Sequence, residues 1–407
     1  MIERGDIEDA RARIAGIIRP TPARHSESLS GLADREVILK PEYLQRTGSF
    51  KIRGAYNLIS RLEPGTEVVA ASAGNHAQGV ALAATRTGNH STIFMPEGAP
   101  LPKVAASRGY GAQVRLEGKT VDDCIALAQG YAADHGARYV PPFDHPLIIA
   151  GQGTIGLELA EEAPGAEVVV VPVGGGGLIA GIATALAIRG AGIRGKRVRV
   201  VGVEPEGAAC VSAALRNAGV IQLPRTTTMA DGIALKATSQ LVLDHVHAYV
   251  DDIVTVDEEQ ISRAMLLLLE RVKAVVEPAG AVGLAAILSG KVAGTGPAVA
   301  VLSGGNVDPL LLIKLIDHGL SAAGRYLVLR AIVGDRPGAL AGLTATLAAL
   351  GLNVLNVEHH RSGLALAIDE VEVLVTLETR GREHCEWVVG ELRAGGYRVE
   401  PLPVAPE

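Results

Sequence analysis

The sequence predicts an α/β protein with two lobes built on parallel sheets, followed by a smaller unit of different element order. Three observations lead there. From residue 1 to about 320, short β-rich apolar runs alternate with longer Ala- and Leu-rich segments of helical character, the pattern of repeated βα units. Those runs are apolar nearly throughout, as in strands covered on both faces. Hydrophobic residues are 48% and charged residues 20% of 407, which provides for sizeable cores and excludes a disordered chain. At roughly 150 residues per domain, the length suits two or three domains.

The strands expected in order are Val37–Lys40, Val68–Ala71, Ser91–Met95, Val114–Leu116, Val168–Val173, Val198–Glu204 and Ala298–Ser303. The helices expected between them are Gly54–Ser60, Gln78–Arg86, Lys103–Arg108, Thr120–Asp134, Gly153–Glu162, Glu258–Lys273 and Gly280–Leu288. Val168–Ile188 carries no charge and is about long enough to cross a bilayer. Pro172 and four consecutive glycines interrupt it, so a buried strand, a glycine loop and a buried helix from Leu178 explain it better. Around Leu320–Arg325 the rhythm changes. Strand Tyr326–Val333, helix Ala339–Leu350, strands Asn353–His360 and Glu370–Leu377, helix Glu383–Ala394 and strand Tyr397–Leu402 follow, with a turn region at 362–369. The order βαββαβ is the ferredoxin-like plan. The expected domains are therefore 1–322, with a smaller lobe at roughly 52–145, and 326–407.

Several function classes drop out early. Net charge is −6, so no basic surface is set aside for nucleic acid. Cys124, Cys210 and Cys385 lie far apart without a Cys-x-x-Cys; this argues against a disulfide scaffold or zinc-cysteine site and for a reducing, cytoplasmic setting. Met1–Arg13 alternates charges and has no apolar core, so no signal peptide is expected. The pairs His245/His247 and His359/His360 lack a matching cluster, and no metal site is assigned.

Four motifs carry chemistry. Gly48-Ser49-Phe50-Lys51-Ile52-Arg53-Gly54-Ala55 sets a lysine between two apolar residues beside a glycine-bounded turn. A lone lysine is usually a solvated charge, but in a partly apolar pocket its pKa falls and it becomes a usable nucleophile. Ser72-Ala73-Gly74-Asn75-His76-Ala77-Gln78-Gly79 leaves a strand and opens a helix, which suits either an anion site or a plain serine cap. Gly174-Gly175-Gly176-Gly177-Leu178 lies between a buried strand and a buried helix. It is neither a Gly-x-Gly-x-x-Gly nor a Walker loop, yet its backbone can approach a phosphate closely. Ser303-Gly304-Gly305-Asn306 ends a strand, where open α/β sheets bind ligands; a turn-forming serine is the alternative.

Taken together, these motifs resemble the fold type II pyridoxal-phosphate (PLP) enzymes, specifically the threonine/serine dehydratase group, over most of residues 1–320. The resemblance implies a two-lobed, tryptophan synthase β-like catalytic domain. It implies that Lys51 holds PLP covalently and serves as the catalytic residue. Phe50 would pack near the cofactor ring, Asn75 would reach its 3-oxygen, and Gly174, Gly175, Gly176, Gly177 and Leu178 would hold its phosphate. Ser303 would face the pyridine nitrogen. Gly232, within Met229–Ile233, and Glu277, within Glu277–Ala281, match segments lining the cofactor. Ser72, Ala73, Gly74, Asn75 and His76 would bind the substrate carboxylate. The last eighty or so residues resemble an ACT regulatory domain, with Asp335, Arg336, Pro337 and Gly338 as effector loop and Asn353 near its second strand.

The resemblance further implies β-elimination of L-threonine to 2-oxobutanoate and ammonia, and of L-serine to pyruvate. Lys51 would remove the Cα proton and the cofactor phosphate would protonate the leaving hydroxyl. It also implies a homo-tetramer under feedback by an amino acid such as isoleucine in branched-chain biosynthesis. Racemases of this group carry a serine where Ala73 stands, so racemisation should be poor. Cys210 stands where their cation site has an acid; only Glu204 and the carbonyl of Ala208 remain there. A serine-preferring dehydratase or racemase is the enzymatic alternative, and an amino-acid-sensing ACT protein the non-enzymatic one.

Overall fold

The computed structural model describes residues 1–189, 197–322, 324–361 and 367–402. These form two compact units, Met1–Asp308 and Pro309–Glu407. The division lies upstream of the Leu320–Arg325 seam, and the helix between the two points contacts the first strand of the second unit.

The first unit opens with α1 (Arg4–Ile14), β1 (Arg24–His25), α2 (Glu27–Ala33), β2 (Val37–Lys40) and α3 (Lys51–Ile59). A smaller lobe follows: β3 (Glu67–Ala71), α4 (Asn75–Arg86), β4 (His90–Met95), α5 (Leu101–Gly109), β5 (Gln113–Leu116), α6 (Val121–His135) and β6 (Arg138–Tyr139). The chain then returns through α7 (Pro146–Glu162), β7 (Val168–Pro172), α8 (Gly177–Arg189), β8 (Arg199–Pro205), α9 (Cys210–Arg216) and α10 (Gln240–Tyr249). It closes with β9 (Asp252–Val256), α11 (Glu258–Leu267), α12 (Pro278–Leu288) and β10 (Ala298–Val301).

Two sheets result. One runs β1-β2-β10-β7-β8-β9, parallel except for β1, and the other runs β5-β4-β3-β6, wholly parallel. The central strands are buried at every residue, as in Val-Val-Val-Val-Pro of β7 and Ala-Val-Ala-Val of β10, because helices cover both faces. Helix starts follow their local signals. Thr120 and Asp123 form a capping box on α6, Asp257 and Gln260 another on α11, and Pro146 and Pro278 occupy first turns where a missing N–H does no harm. The uncharged stretch 168–188 is divided between β7 and α8, and no described helix is long and apolar enough to cross a membrane.

Helix α3 is seated deeply on α7. A Cβ on Gly151 would lie 2.5 Å from Cα of Gly54, so only a glycine pair allows this approach. Arg53, fully buried, pins α3 from inside. Its guanidinium donates to both Glu42 oxygens at 2.8 and 2.9 Å and to both Glu158 oxygens at 2.6 and 3.0 Å. Buried Lys40 completes the network at 2.7 Å from Glu158 and 2.9 Å from Glu162.

Three strands escaped the sequence reading. β1 and β6 have two residues each, too few for a period, and β9 is a half-buried edge strand opened by two aspartates. The helix expected over 258–273 stops at Leu267, passes through a π-turn at Leu268–Val272 and ends at Lys273 with φ +62°.

The second unit holds α13 (Pro309–Ala322), β11 (Tyr326–Gly334), α14 (Ala339–Ala349), β12 (Val354–His360), β13 (Glu370–Glu378), α15 (Arg382–Ala394) and β14 (Arg398–Leu402). Its sheet is antiparallel in the order β12-β13-β11-β14, as the ferredoxin-like plan requires. Residues alternate buried and half-buried along β11 and β13, the mark of a sheet with one covered face. The turn expected at 362–369 falls partly outside the described residues.

Candidate active site

Strand β10 and the loop before α3 meet where the first and fourth motifs come together. Phe50 N donates to Ser303 O at 3.1 Å, Gly305 N to Gly48 O at 2.9 Å, and Ser49 bridges Gly304. Lys51 is thereby fixed as the first residue of α3, at the edge of a cavity of about 540 Å³, part of it open to solvent. The wall includes Phe50, Lys51, Asn75, Gly174–Gly177, Leu178, Gly232, Glu277 and Ser303. Motifs more than 250 residues apart thus line one space, at the carboxyl ends of the strands.

The Lys51 side chain is half-accessible through the cavity, but its amine is surrounded by protein. Nζ donates to Pro142 O at 2.8 Å and lies 5.2 Å from the centre of the Phe50 ring. Burial lowers its pKa to about 8, against the pull of Glu277. Asn75 is held at both ends of its amide. Its Nδ2 donates to Glu277 Oε1 at 2.6 Å, and its Oδ1 accepts from Asn306 Nδ2 at 2.7 Å. Asn306 Nδ2 also donates to Thr47 O at 2.7 Å, so the flip state of both amides follows from their partners. Burial and then the charge of Asp231 raise the pKa of Glu277 to about 7. Asp231 is paired with Lys103 of α5 at 2.5 Å, and Lys236 with Asp122 of α6 at 2.7 Å. These two pairs tie the smaller lobe to the segment carrying Gly232.

The glycine loop turns its amides away from its carbonyl partners. Gly174 O accepts from Cys210 Sγ at 3.5 Å and Gly175 O from Thr238 Oγ1 at 3.0 Å. A trans peptide points its N–H opposite to its carbonyl, so the amides of Gly175 and Gly176 face away from those partners. They join the unpaired N–H groups of the first turn of α8. A Cβ on Gly175 would lie 2.3 Å from the Phe143 ring, and Gly176 has φ +88°.

Some sequence-chosen residues stand elsewhere. Ser72, Ala73, Gly74 and His76 are not among the lining residues. Ser72 does not cap α4, whose N-cap is Gly74; its Oγ accepts from Gly74 N at 3.1 Å. The helix starts at Asn75, three residues before Gln78. His76 is buried, and its Nε2–H donates to Val140 O at 2.9 Å; burial, then the charge of Lys51, push its pKa down to about 3. Conversely, Pro142, Phe143, Ile148, Gln152 and Leu235 line the cavity without having been singled out. The only signal was the Pro-Pro-Phe run ahead of α7. Glu204 is spent on protein: its oxygens accept from Val211 N at 2.8 Å, Ser212 N at 2.9 Å and Ser212 Oγ at 2.6 Å. Buried His245 accepts from Ile2 N at 2.9 Å, so one member of the first histidine pair is a core residue. Among the described residues no group of three or more His, Cys, Asp or Glu could hold a metal ion.

In the second unit, Asp335–Gly338 line a separate hollow with His359, Arg361 and Val371. Asn353 is not part of it; its Nδ2 donates to Glu378 Oε2 at 3.1 Å. Asn353 adjoins the Val354/Leu377 end of the β12–β13 ladder, whereas the loop adjoins the end where His360 pairs with Glu372. At ~3.3 Å per residue the two lie roughly 20 Å apart within one unit.

The first cavity fits pyridoxal phosphate on its own residues. It has an amine of lowered pKa for the aldehyde, a side-chain-free amide cradle for the phosphate, and a strand-end hydroxyl. It also has a buried acceptor, Gln152 Oε1, with no hydrogen-bond partner. Residues 14–304 match the family described as pyridoxal-phosphate dependent enzyme, and residues 327–384 match the ACT domain. The L-threonine ammonia-lyase of Geobacter sulfurreducens is 44% identical over 400 residues, covering 97% of this chain and 98% of that one. Among solved structures, the processed form of threonine deaminase isoform 2 from Solanum lycopersicum is 35% identical with a TM-score of 0.72, covering 77% of this chain and 87% of that one. Maize serine racemase is 34% identical with a TM-score of 0.71, covering 79% and 98%. The chain belongs to the pyridoxal-phosphate dependent enzymes and carries an ACT domain behind its catalytic lobes.

Proposed function

We propose that this protein is a threonine ammonia-lyase that converts L-threonine to 2-oxobutanoate and ammonia, and L-serine to pyruvate. The observation that carries the reading is the buried Lys51 amine, with its pKa near 8, facing Asn75, Ser303 and the glycine cradle across one cavity. Likeness to threonine ammonia-lyase over nearly the whole chain, ACT domain included, supports the choice of substrate.

Pyridoxal phosphate supplies the electron sink for charge developing at the substrate Cα. Lys51 would hold the cofactor and, once freed, take the Cα proton; a pKa near the working pH suits a general base. Phe50 covers one side of the amine. Asn75, fixed by Glu277 and Asn306, would orient the cofactor oxygen. Beside it the Ser72 hydroxyl and the Ala73 amide would be donors to the substrate carboxylate, since Ser72 N already donates to Phe94 O and Gly74 N to Ser72 Oγ. Ser303 would meet the ring nitrogen with a neutral hydroxyl, which does not impose a proton there as an aspartate would. Charge therefore stays nearer Cα and favours loss of the β-hydroxyl. Ala73 brings no hydroxyl to the opposite side of the substrate, so racemisation lacks its second acid–base group.

The ACT unit would bind an amino acid, with isoleucine the natural inhibitor of a biosynthetic enzyme. Asn353 and the Asp335–Gly338 loop lie at opposite ends of β12, so for both to bind one effector they would have to come from two paired ACT units. This fits the homo-tetramer we expect in the cytoplasm.

The test is turnover of L-threonine, L-serine and D-serine by the PLP-loaded protein. L-threonine should yield 2-oxobutanoate, and Lys51→Ala should lower the rate by ~10³-fold or more while abolishing the visible absorbance of bound cofactor. Absence of threonine turnover, or serine racemisation faster than pyruvate formation, overturns the reading.

A further inference from the structure

We propose that Phe143 sets the preference for threonine over serine, its ring forming the wall against which the substrate's β-methyl packs. The proposal rests on the threonine reading above and deepens it.

The placement of the ring carries the argument. The carbonyl that holds the Lys51 amine, at 2.8 Å, belongs to Pro142; the residue that bears the aromatic ring follows that carbonyl in the chain. Its other side rests on the glycine cradle. A Cβ on Gly175 would fall 2.3–2.5 Å from three ring carbons, and one on Gly177 would fall 2.9 Å from Phe143 Cβ. Side chains at these two glycines would collide with Phe143, so the cradle is bare partly to admit this ring. Phe143 thus spans the interval between amine and cradle. It is packed against the core on one side yet keeps intermediate exposure, and it lines the cavity with Lys51, Asn75 and Ser303.

A substrate whose Cα hydrogen is within reach of Lys51 has its β-carbon one bond, about 1.5 Å, further on. Asn75, Glu277 and Ser303 supply the polar part of the wall. Of the two aromatic rings in the wall, Phe50 lies beside the amine and Phe143 is joined directly to the residue that holds it. It has no polar atom in its side chain, so it gains from a methyl and offers nothing to a hydrogen in its place. Apolar discrimination of one methyl group is worth about 10–200-fold.

The experiment compares kcat/KM for L-threonine and L-serine in the PLP-loaded wild type, Phe143→Ala and Phe143→Leu. Phe143→Ala should lower the threonine-to-serine ratio by about 10-fold or more, and Phe143→Leu, which keeps an apolar but shorter side chain, by about 3-fold. A second readout needs no turnover. L-2-aminobutanoate and L-alanine differ by the same methyl and lack the hydroxyl, so their Kd ratio, from cofactor absorbance changes, should collapse in parallel. A merely structural role would weaken both substrates alike and leave both ratios unmoved; unchanged ratios overturn the proposal. If Phe143→Ala proves insoluble, the Leu variant alone decides. A wild type that ignores threonine would instead sink the functional reading, which separates the two failures.

Discussion

Lys51 owes its low pKa to place: desolvation lowers it, and the neighbouring carboxyl of Glu277 works the other way. The same interior acts with opposite result on Glu277, which is raised to about 7, because burial disfavours whichever form is charged. His76 shows the effect most clearly. Its folded pKa of about 3 lies far below the ordinary 6.5. Above pH 6.5 both folded and unfolded chains hold it neutral and its contribution is complete. As pH falls toward 3 the unfolded chain takes up a proton that the folded chain refuses, and stability is lost. Between pH 6.5 and 5 this amounts to ~2 kcal/mol. Glu277, raised to about 7, takes up a proton over the same range and gains stability by a similar amount, so the loss is read as the difference between wild type and His76→Asn in urea unfolding at the two pH values; an equal change in both chains would contradict the assignment. The sequence offered a lowered pKa for Lys51 alone; the shifts of Glu277 and His76 could not be read from it, and there His76 stood beside Asn75 as a ligand candidate. Adjacent helix positions face different ways, and only packing showed that the histidine turns to Val140.

At the level of elements, the amine is only as well placed as α3. That helix is held by the Gly54–Gly151 approach and by Arg53 between Glu42 and Glu158. Burial alone would lower the Arg53 pKa, but the two carboxylates outweigh it and raise it. Removing the cation leaves Glu42 buried without its charge partner. Arg53→Met should therefore cost about 3–5 kcal/mol, measured by denaturant unfolding, with Lys51 chemistry falling in step as α3 loosens. A loss below about 1 kcal/mol, the range of exposed pairs, would show that the carboxylates find other partners. Most long elements were legible, because apolar period and cap residues are local signals; Thr120 with Asp123 and Asp257 with Gln260 show it. Among strands, what escaped was short or at an edge, as with β1, β6 and β9, where pairing partners create the strand; the helices α1, α2, α9, α10 and α13 were not expected either.

On the scale of the whole molecule, the proposed function gives the two units separable tasks. A chain lacking residues 326–407 should keep threonine turnover and lose any response to isoleucine, read from initial rates with and without the effector. An unchanged isoleucine response in the shortened chain would place the effector site in the catalytic lobes.

By itself the sequence determined the alternation of strands and helices, the βαββαβ tail, and the lysine, glycine and serine motifs. Each of these is written in residues close together along the chain. Tertiary structure alone decided which motifs share a cavity, that Pro142 and Phe143 complete its wall, that Glu204 is consumed in capping α9, and that Asn353 and the Asp335–Gly338 loop lie apart. The reason is physical: burial, charge neighbours and close backbone approach are properties of a place in space, and residues distant in sequence supply them.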